Sequence, residues 1–95
     1  MTTLLNTKPL IYVIDDELEI CDLVCQELER YNFSTNAFTT GGQALLAIKT
    51  QLPSLCIIDL GLPDMDGLSL VKKLVDDKKW VLLFYPDETA YLIKY

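Results

Sequence analysis

Leu10-Ile11-Tyr12-Val13-Ile14-Asp15-Asp16-Glu17 is the stretch that decides how this chain is read. Five apolar residues, β-branched or aromatic in four positions, run directly into three acids. An uninterrupted apolar run of that length fits a strand buried on both faces, as in a parallel sheet. A second run of the same kind, Leu55-Cys56-Ile57-Ile58, ends on Asp59. Each run thus stops at the point where a carboxylate begins.

Between the two runs the periodicity changes. From Leu18 to Tyr31 apolar residues recur with helical spacing, Cys21, Val24, Cys25 and Leu28 falling on one face, and Glu19, Asp22, Gln26, Glu29 and Arg30 lying elsewhere. Asp16 or Glu17 stands where negative charge favours a helix start. Phe33 to Phe38 reads as a second strand, and Thr39-Thr40 offer an N-cap to a helix carrying Ala44, Leu45, Ala47 and Ile48. After the loop Gly61-Leu62-Pro63-Asp64-Met65-Asp66-Gly67 comes a third helix, with Leu70, Val71, Leu74 and Val75 inward, and then a fourth strand from Trp80 to Phe84. Strands alternating with helices predict a doubly wound parallel sheet in one domain, residues 1–95. Ligands of such sheets bind outside the carboxyl ends of the strands. The fold therefore gathers Asp15, Asp16 and Asp59, although Asp59 follows them by 44 and 43 residues.

Carboxylates crowded at one sheet edge repel one another unless a cation neutralises them. A hard divalent ion such as Mg²⁺ suits the arrangement, because it takes oxygen ligands, is satisfied by one or two carboxylates, and keeps waters that phosphate oxygens can replace. It also screens an incoming phosphate, so that an aspartate can attack phosphorus as a nucleophile. Glu17, Asp64 and Asp66 are read as helix caps or solvated loop acids. The spacing of Gly41-Gly42 and Gly61 makes neither a phosphate-binding loop nor a dinucleotide fingerprint.

Composition narrows the classes further. The chain is 51% hydrophobic and 23% charged, enough apolar material for a core. A net charge of −6 and a pI near 4.3 argue against direct nucleic-acid contact and against an anionic membrane surface. No apolar run approaches the roughly 20 residues of a membrane span, and the amino-terminal residues do not read as a signal peptide. Three cysteines without ligand spacing read as core residues of a reducing, cytoplasmic protein. The chain has no histidine, so no imidazole base, metal ligand or phosphohistidine comes from it.

Val13-Ile14-Asp15-Asp16-Glu17 resembles the acidic signature that opens receiver domains of two-component response regulators. Ile57-Ile58-Asp59-Leu60-Gly61-Leu62-Pro63-Asp64-Met65-Asp66-Gly67 is similar to their phosphoacceptor segment, an aspartate followed by x-x-x-Pro-x-x-x-Gly. The likeness covers residues 9–84 and implies a flavodoxin-like sheet of order 2-1-3-4-5. It implies that Asp59 is the phosphoacceptor, that Asp16 binds Mg²⁺ directly and that Asp15 holds one of the metal's waters. The Gly61 backbone carbonyl would be a further ligand, with Pro63 and Gly67 shaping the loop. The phosphodonor would be a phosphohistidine on a sensor histidine kinase, and the chain would be a signalling module and not an enzyme. A phosphatase or phosphotransferase with an aspartate nucleophile would carry a second acid two residues on, where this chain has Gly61.

The sequence departs from the family after Val81-Leu82-Leu83-Phe84. Where the family has a Ser or Thr, Tyr85 stands, followed by Pro86-Asp87-Glu88 and then Thr89. Tyr91-Leu92-Ile93-Lys94 is similar to the family's fifth strand, which would make Lys94 the phosphate-contacting lysine, with Tyr95 in place of the usual proline. On that match the fourth helix is shortened or missing. Alternatively the segment is a frayed end and Lys94 a solvated lysine. An open edge on the fourth strand would invite a homodimer, and a receiver with an altered end could act as an interaction module without phosphorylation.

Overall fold

The structure, a computed structural model, describes residues 8–74, 80–84 and 90–94, the last two stretches by their backbone alone. The elements run β1 (Leu10–Ile14), α1 (Leu18–Arg30), β2 (Ser34–Phe38), α2 (Gly41–Ile48), β3 (Leu55–Asp59), α3 (Gly67–Leu74), β4 (Trp80–Phe84) and β5 (Ala90–Lys94). The sheet order is β2-β1-β3-β4-β5, as expected. Strands β2, β1, β3 and β4 are parallel. The order reverses between β1 and β3, which makes the gap above these two strands the topological switch point.

Alternation along the central strands divides the core. Tyr12, Ile14, Cys56 and Ile58 point to the layer formed by α2 and α3, where they pack with Ala44, Leu62, Leu70, Val71 and Leu74. Ile11 and Val13 point the other way, onto Cys21 of α1, with Val24, Cys25, Leu28, Leu55 and Ile57 around them. The inward face anticipated for α1 is the one observed. Burial pushes the Cys56 thiol up to about 12, so it remains a protonated, apolar core group. Among the described residues, no helix is long and apolar enough to cross a membrane.

Two helix ends show how local sequence shapes the elements. Thr40 caps α2, its hydroxyl accepting from the Gln43 N–H at 3.2 Å. At the other end of α1, Asn32 has φ 71°, a left-handed conformation. The Phe33 N–H reaches back to the Leu28 carbonyl at 3.2 Å and the Asn32 N–H to Glu29 at 3.1 Å. These are the two hydrogen bonds of a Schellman ending, and Leu28 and Phe33 both join the α1-side core.

The fifth strand corrects the expectation of a parallel β5. It is antiparallel to β4, with Trp80 opposite Lys94 and Phe84 opposite Ala90. Five residues, 85–89, join the two strands. A parallel return requires a crossover of about a dozen residues or more, so a connection this short fixes the antiparallel direction. β5 also lies along the whole of β4, which removes the open β4 edge from which a homodimer was expected. Val75, Tyr85, Thr89 and Tyr95 lie outside the described residues.

The Schellman ending predicts the effect of changing Asn32. Asn32→Val should lower stability by about 1–2 kcal/mol, the cost of a β-branched residue in the left-handed region, whereas Asn32→Gly should hold or raise it. Urea unfolding of the two variants checks this.

Candidate functional site

The register of β1 and β3 builds the site. Ile14 is paired with Ile58 across the parallel ladder, so the next residues, Asp15 and Asp59, stand side by side at the carboxyl edge of the sheet. Asp16 follows immediately. Each of the three offers a carboxylate oxygen, and these oxygens lie within 4.8 Å of one another. Asp15 and Asp59 are half-buried and Asp16 is exposed. The sequence expectation that these three converge is met, at the switch point of the sheet.

The strand end is pinned from several sides. The Asp15 N–H donates to the Phe38 carbonyl at 3.1 Å, which extends the β1–β2 ladder one residue past Ile14. The buried Cys21 thiol donates to the Asp15 carbonyl at 3.3 Å. Asp15 Oδ1 accepts from the Glu17 N–H at 2.9 Å, at the start of α1. Glu17 is the N-cap of α1 but makes no side-chain cap hydrogen bond. On β3, Asp59 Oδ1 accepts from the Gly61 N–H at 2.9 Å, which turns the chain into the following loop.

That loop is closed by Gly67. A methyl group there would lie 2.9 Å from the Leu60 Cα, closer than a side chain tolerates, so only glycine allows the start of α3 to pack on Leu60. Gly67, expected to shape the loop, does so by close approach and not by a left-handed backbone, since no glycine here has positive φ. Asp66 accepts from the Ser69 hydroxyl at 3.3 Å, a side-chain contact at the start of α3. Asp64 does something the sequence reading did not specify. Its two oxygens accept from the Gly41 and Gly42 N–H groups, each at 3.0 Å, so it caps α2 and not its own helix. One signal was available: α2 opens with two glycines and has no acid in its first turn, leaving donors to be met from elsewhere.

The electrostatics of the pocket are unbalanced. Among the described residues the ion pair found is Arg30–Glu27, exposed on α1, so no described cation neutralises the three aspartates. Partial burial raises the Asp15 carboxyl above its ordinary range, and the charges of Asp59, Asp16 and Glu17 push the same way, against the Glu17 N–H. Two like charges at this separation repel by roughly 1 kcal/mol in water and about 3 kcal/mol near a protein surface. An all-oxygen set of half-exposed carboxylates with excess negative charge fits a hard divalent cation.

Lys94 is not brought to the pocket. It pairs with Trp80, which pairs with Leu55 at the beginning of β3, whereas Asp59 at the end of β3 pairs with Phe84. Four residues of strand, about 13 Å, separate the two levels. The assignment of Lys94 as the phosphate-contacting lysine is corrected on that ground: running antiparallel, β5 ends at the opposite edge of the sheet. Tyr85 and Thr89, the positions considered for the family's hydroxyl, lie outside the described residues.

Comparison with known proteins agrees with the geometry. The family model for the response regulator receiver domain matches residues 11–85. The chain belongs to that family, whose members are signalling modules of two-component systems. The regulatory protein VanRc of Enterococcus gallinarum is 39% identical over 64 residues, 67% of this chain and 28% of that protein. The chain spans less than a third of the length of the curated relatives it matches. A CheY-like receiver domain from Methanospirillum hungatei superposes with a TM-score of 0.80 at 26% identity, covering 83% of this chain and 65% of that one. A Burkholderia pseudomallei response regulator, solved with a phosphorylated aspartic acid, a calcium ion and citrate, has a TM-score of 0.77 at 24% identity, covering 82% and 47%. At that identity it speaks for the fold alone.

Removing one pocket charge tests the electrostatic reading. Asp15→Asn should stabilise the metal-free protein by roughly 1 kcal/mol or more at neutral pH, a rise in Tm that calorimetry would detect. Because the folded-state pKa of Asp15 is raised, the gain should appear as pH rises through the carboxylate range and vanish below it. Mg²⁺ should stabilise the wild type more than the variant.

Proposed function

We propose that this chain is a phosphoacceptor receiver, one unit in which Asp59 takes a phosphoryl group from a phosphohistidine of a sensor histidine kinase. The observation that carries the reading is the convergence of the Asp15, Asp16 and Asp59 carboxylates at the switch point of the sheet. Asp16 and Asp59 would hold Mg²⁺ directly, Asp15 would hold one of its waters, and the Gly61 backbone carbonyl would complete the protein's share. When bound, the ion offsets the charge of the three acids and of the phosphoryl oxygens.

In the transfer, a carboxylate oxygen of Asp59 attacks phosphorus, a P–O bond forms, and the P–N bond to the donor imidazole breaks. The imidazole takes up a proton as it leaves, and the product on this chain is an aspartyl phosphate. The chain's own residues aim the nucleophile. The Gly61 N–H holds Asp59 Oδ1, and the pairing of β3 between β1 and β4 fixes its backbone. No direct nucleic-acid contact is assigned to this domain, in keeping with its charge of −6.

A second reading has one observation in its favour. With Lys94 at the far edge of the sheet, the phosphoryl group would lack that lysine, and a receiver so altered could serve as a docking module without phosphorylation. The two readings separate in a test with a small-molecule phosphodonor. Incubation with acetyl phosphate and Mg²⁺ should give a single phosphorylation labile to base and to hydroxylamine, seen by intact-mass spectrometry, which is absent in Asp59→Asn and without the metal. No labelling of the wild type, or equal labelling of Asp59→Asn, would rule out the phosphoacceptor reading and leave the docking module.

A further inference from the structure

Asp64 sits on the loop between β3 and α3, three residues beyond Gly61, yet its hydrogen bonds go to another helix. Oδ1 accepts from Gly41 and Oδ2 from Gly42, each at 3.0 Å, across 23 and 22 residues of sequence. With the Thr40 hydroxyl on Gln43, the N–H groups of the first three residues of α2 are all met from outside the helix ladder, which begins with Ala44 on the Thr40 carbonyl. These N–H groups draw the Asp64 carboxyl below the ordinary carboxylate range, so it is ionised and held at neutral pH. The side chain after it joins the same contact. A methyl group on Gly41 would lie 2.7 Å from the Met65 sulfur, so the Met65 side chain packs directly on the bare backbone at the first position of α2.

These bonds close a circuit around the acidic pocket. Asp15 donates to Phe38, Phe38 leads through Thr39 and Thr40 to Gly41, Gly41 donates to Asp64, and the loop leads back to Gly61, which donates to Asp59. Leu62, buried in the α2–α3 core, anchors the loop midway. The circuit links the strand end that carries Asp15 and Asp16 to the loop that carries Gly61.

We infer that Asp64 is a positioning residue of the metal site: by clamping the β3–α3 loop to the amino end of α2, its carboxylate sets the place of Gly61 relative to Asp15, Asp16 and Asp59. The inference rests on the proposed reading of the pocket as a Mg²⁺ site. It assigns to Asp64 no contact with metal or phosphate. It also occupies the positive end of α2 with a carboxylate of the chain itself, so that helix end is not where a phosphoryl oxygen would be held.

The test is a Mg²⁺ titration followed by the backbone amide resonances of Asp15, Asp59 and Gly61 in the full chain, at a temperature where each variant is folded. Asp64→Ala should weaken Mg²⁺ binding on the order of tenfold, the lower end of what residues supporting metal ligands contribute. Asp64→Asn keeps one acceptor oxygen and should fall between the wild type and Asp64→Ala. Thr40→Ala removes a cap from the same helix but leaves the loop clamp, and should bind Mg²⁺ within about twofold of the wild type although α2 is weakened. Equal affinities for Asp64→Ala and the wild type would overturn the inference while leaving the metal site standing. So would equal losses in Asp64→Ala and Thr40→Ala, which would mark a general loosening of α2. Absence of any Mg²⁺ response in the wild type would overturn the inference together with the reading on which it rests.

Discussion

The parallel pairing of β1 with β3 is the constraint from which the rest of the site follows. Both strands are apolar up to their aspartates and bury Tyr12, Ile14, Cys56 and Ile58 on one face, so their ladder cannot slip by one residue without taking these side chains out of that core. With Ile14 locked beside Ile58, Asp15 and Asp59 have no freedom to part. Their mutual repulsion, increased by Asp16, is then a cost that folding imposes and a cation relieves. The site is thus held together by the hydrophobic strands below it and opposed by its own charge, an arrangement that favours capture of a divalent ion over a tight, self-satisfied structure.

The surroundings of the pocket reinforce that constraint by hydrogen bonds to backbone groups. Cys21, Phe38 and Glu17 fix the Asp15 side, and Gly61 and the loop beyond it fix the Asp59 side. None of these contacts neutralises charge to the extent a cation would. They hold the carboxylates where repulsion would otherwise spread them. Gly67 contributes by allowing the loop to fold back on Leu60, and Asp64 by tying that loop to α2.

Much of this was legible in the sequence, because the informative residues sit at breaks in periodicity. Apolar runs ending in Asp15 and Asp59 placed both carboxylates at strand ends, and the alternation of helices and strands placed those ends together. The Thr40 cap and the inward face of α1 were likewise readable from local spacing. What was not readable depends on contacts between distant segments. The direction of β5 is set by the length of the connection after Phe84, and resemblance of Tyr91-Leu92-Ile93-Lys94 to a parallel strand pointed the other way. Lys94 went to the wrong edge for the same reason. Asp64 looked like a loop acid because its partners, Gly41 and Gly42, are more than twenty residues away. Gly67 was expected to shape the loop, and its means of doing so is the closeness of Leu60 and not a backbone angle.

The central claim is that one divalent ion is shared by Asp15, Asp16 and Asp59. Paramagnetic broadening by Mn²⁺ tests it most directly, since the effect falls steeply with distance from the ion. The account predicts that trace Mn²⁺ selectively broadens the amides of residues 15–17 and 59–61 and spares Ser34, Leu55 and Trp80 at the opposite edge of the sheet. Excess Mg²⁺ should reverse the effect. Broadening centred anywhere else, or spread evenly over the acidic surface, would contradict it.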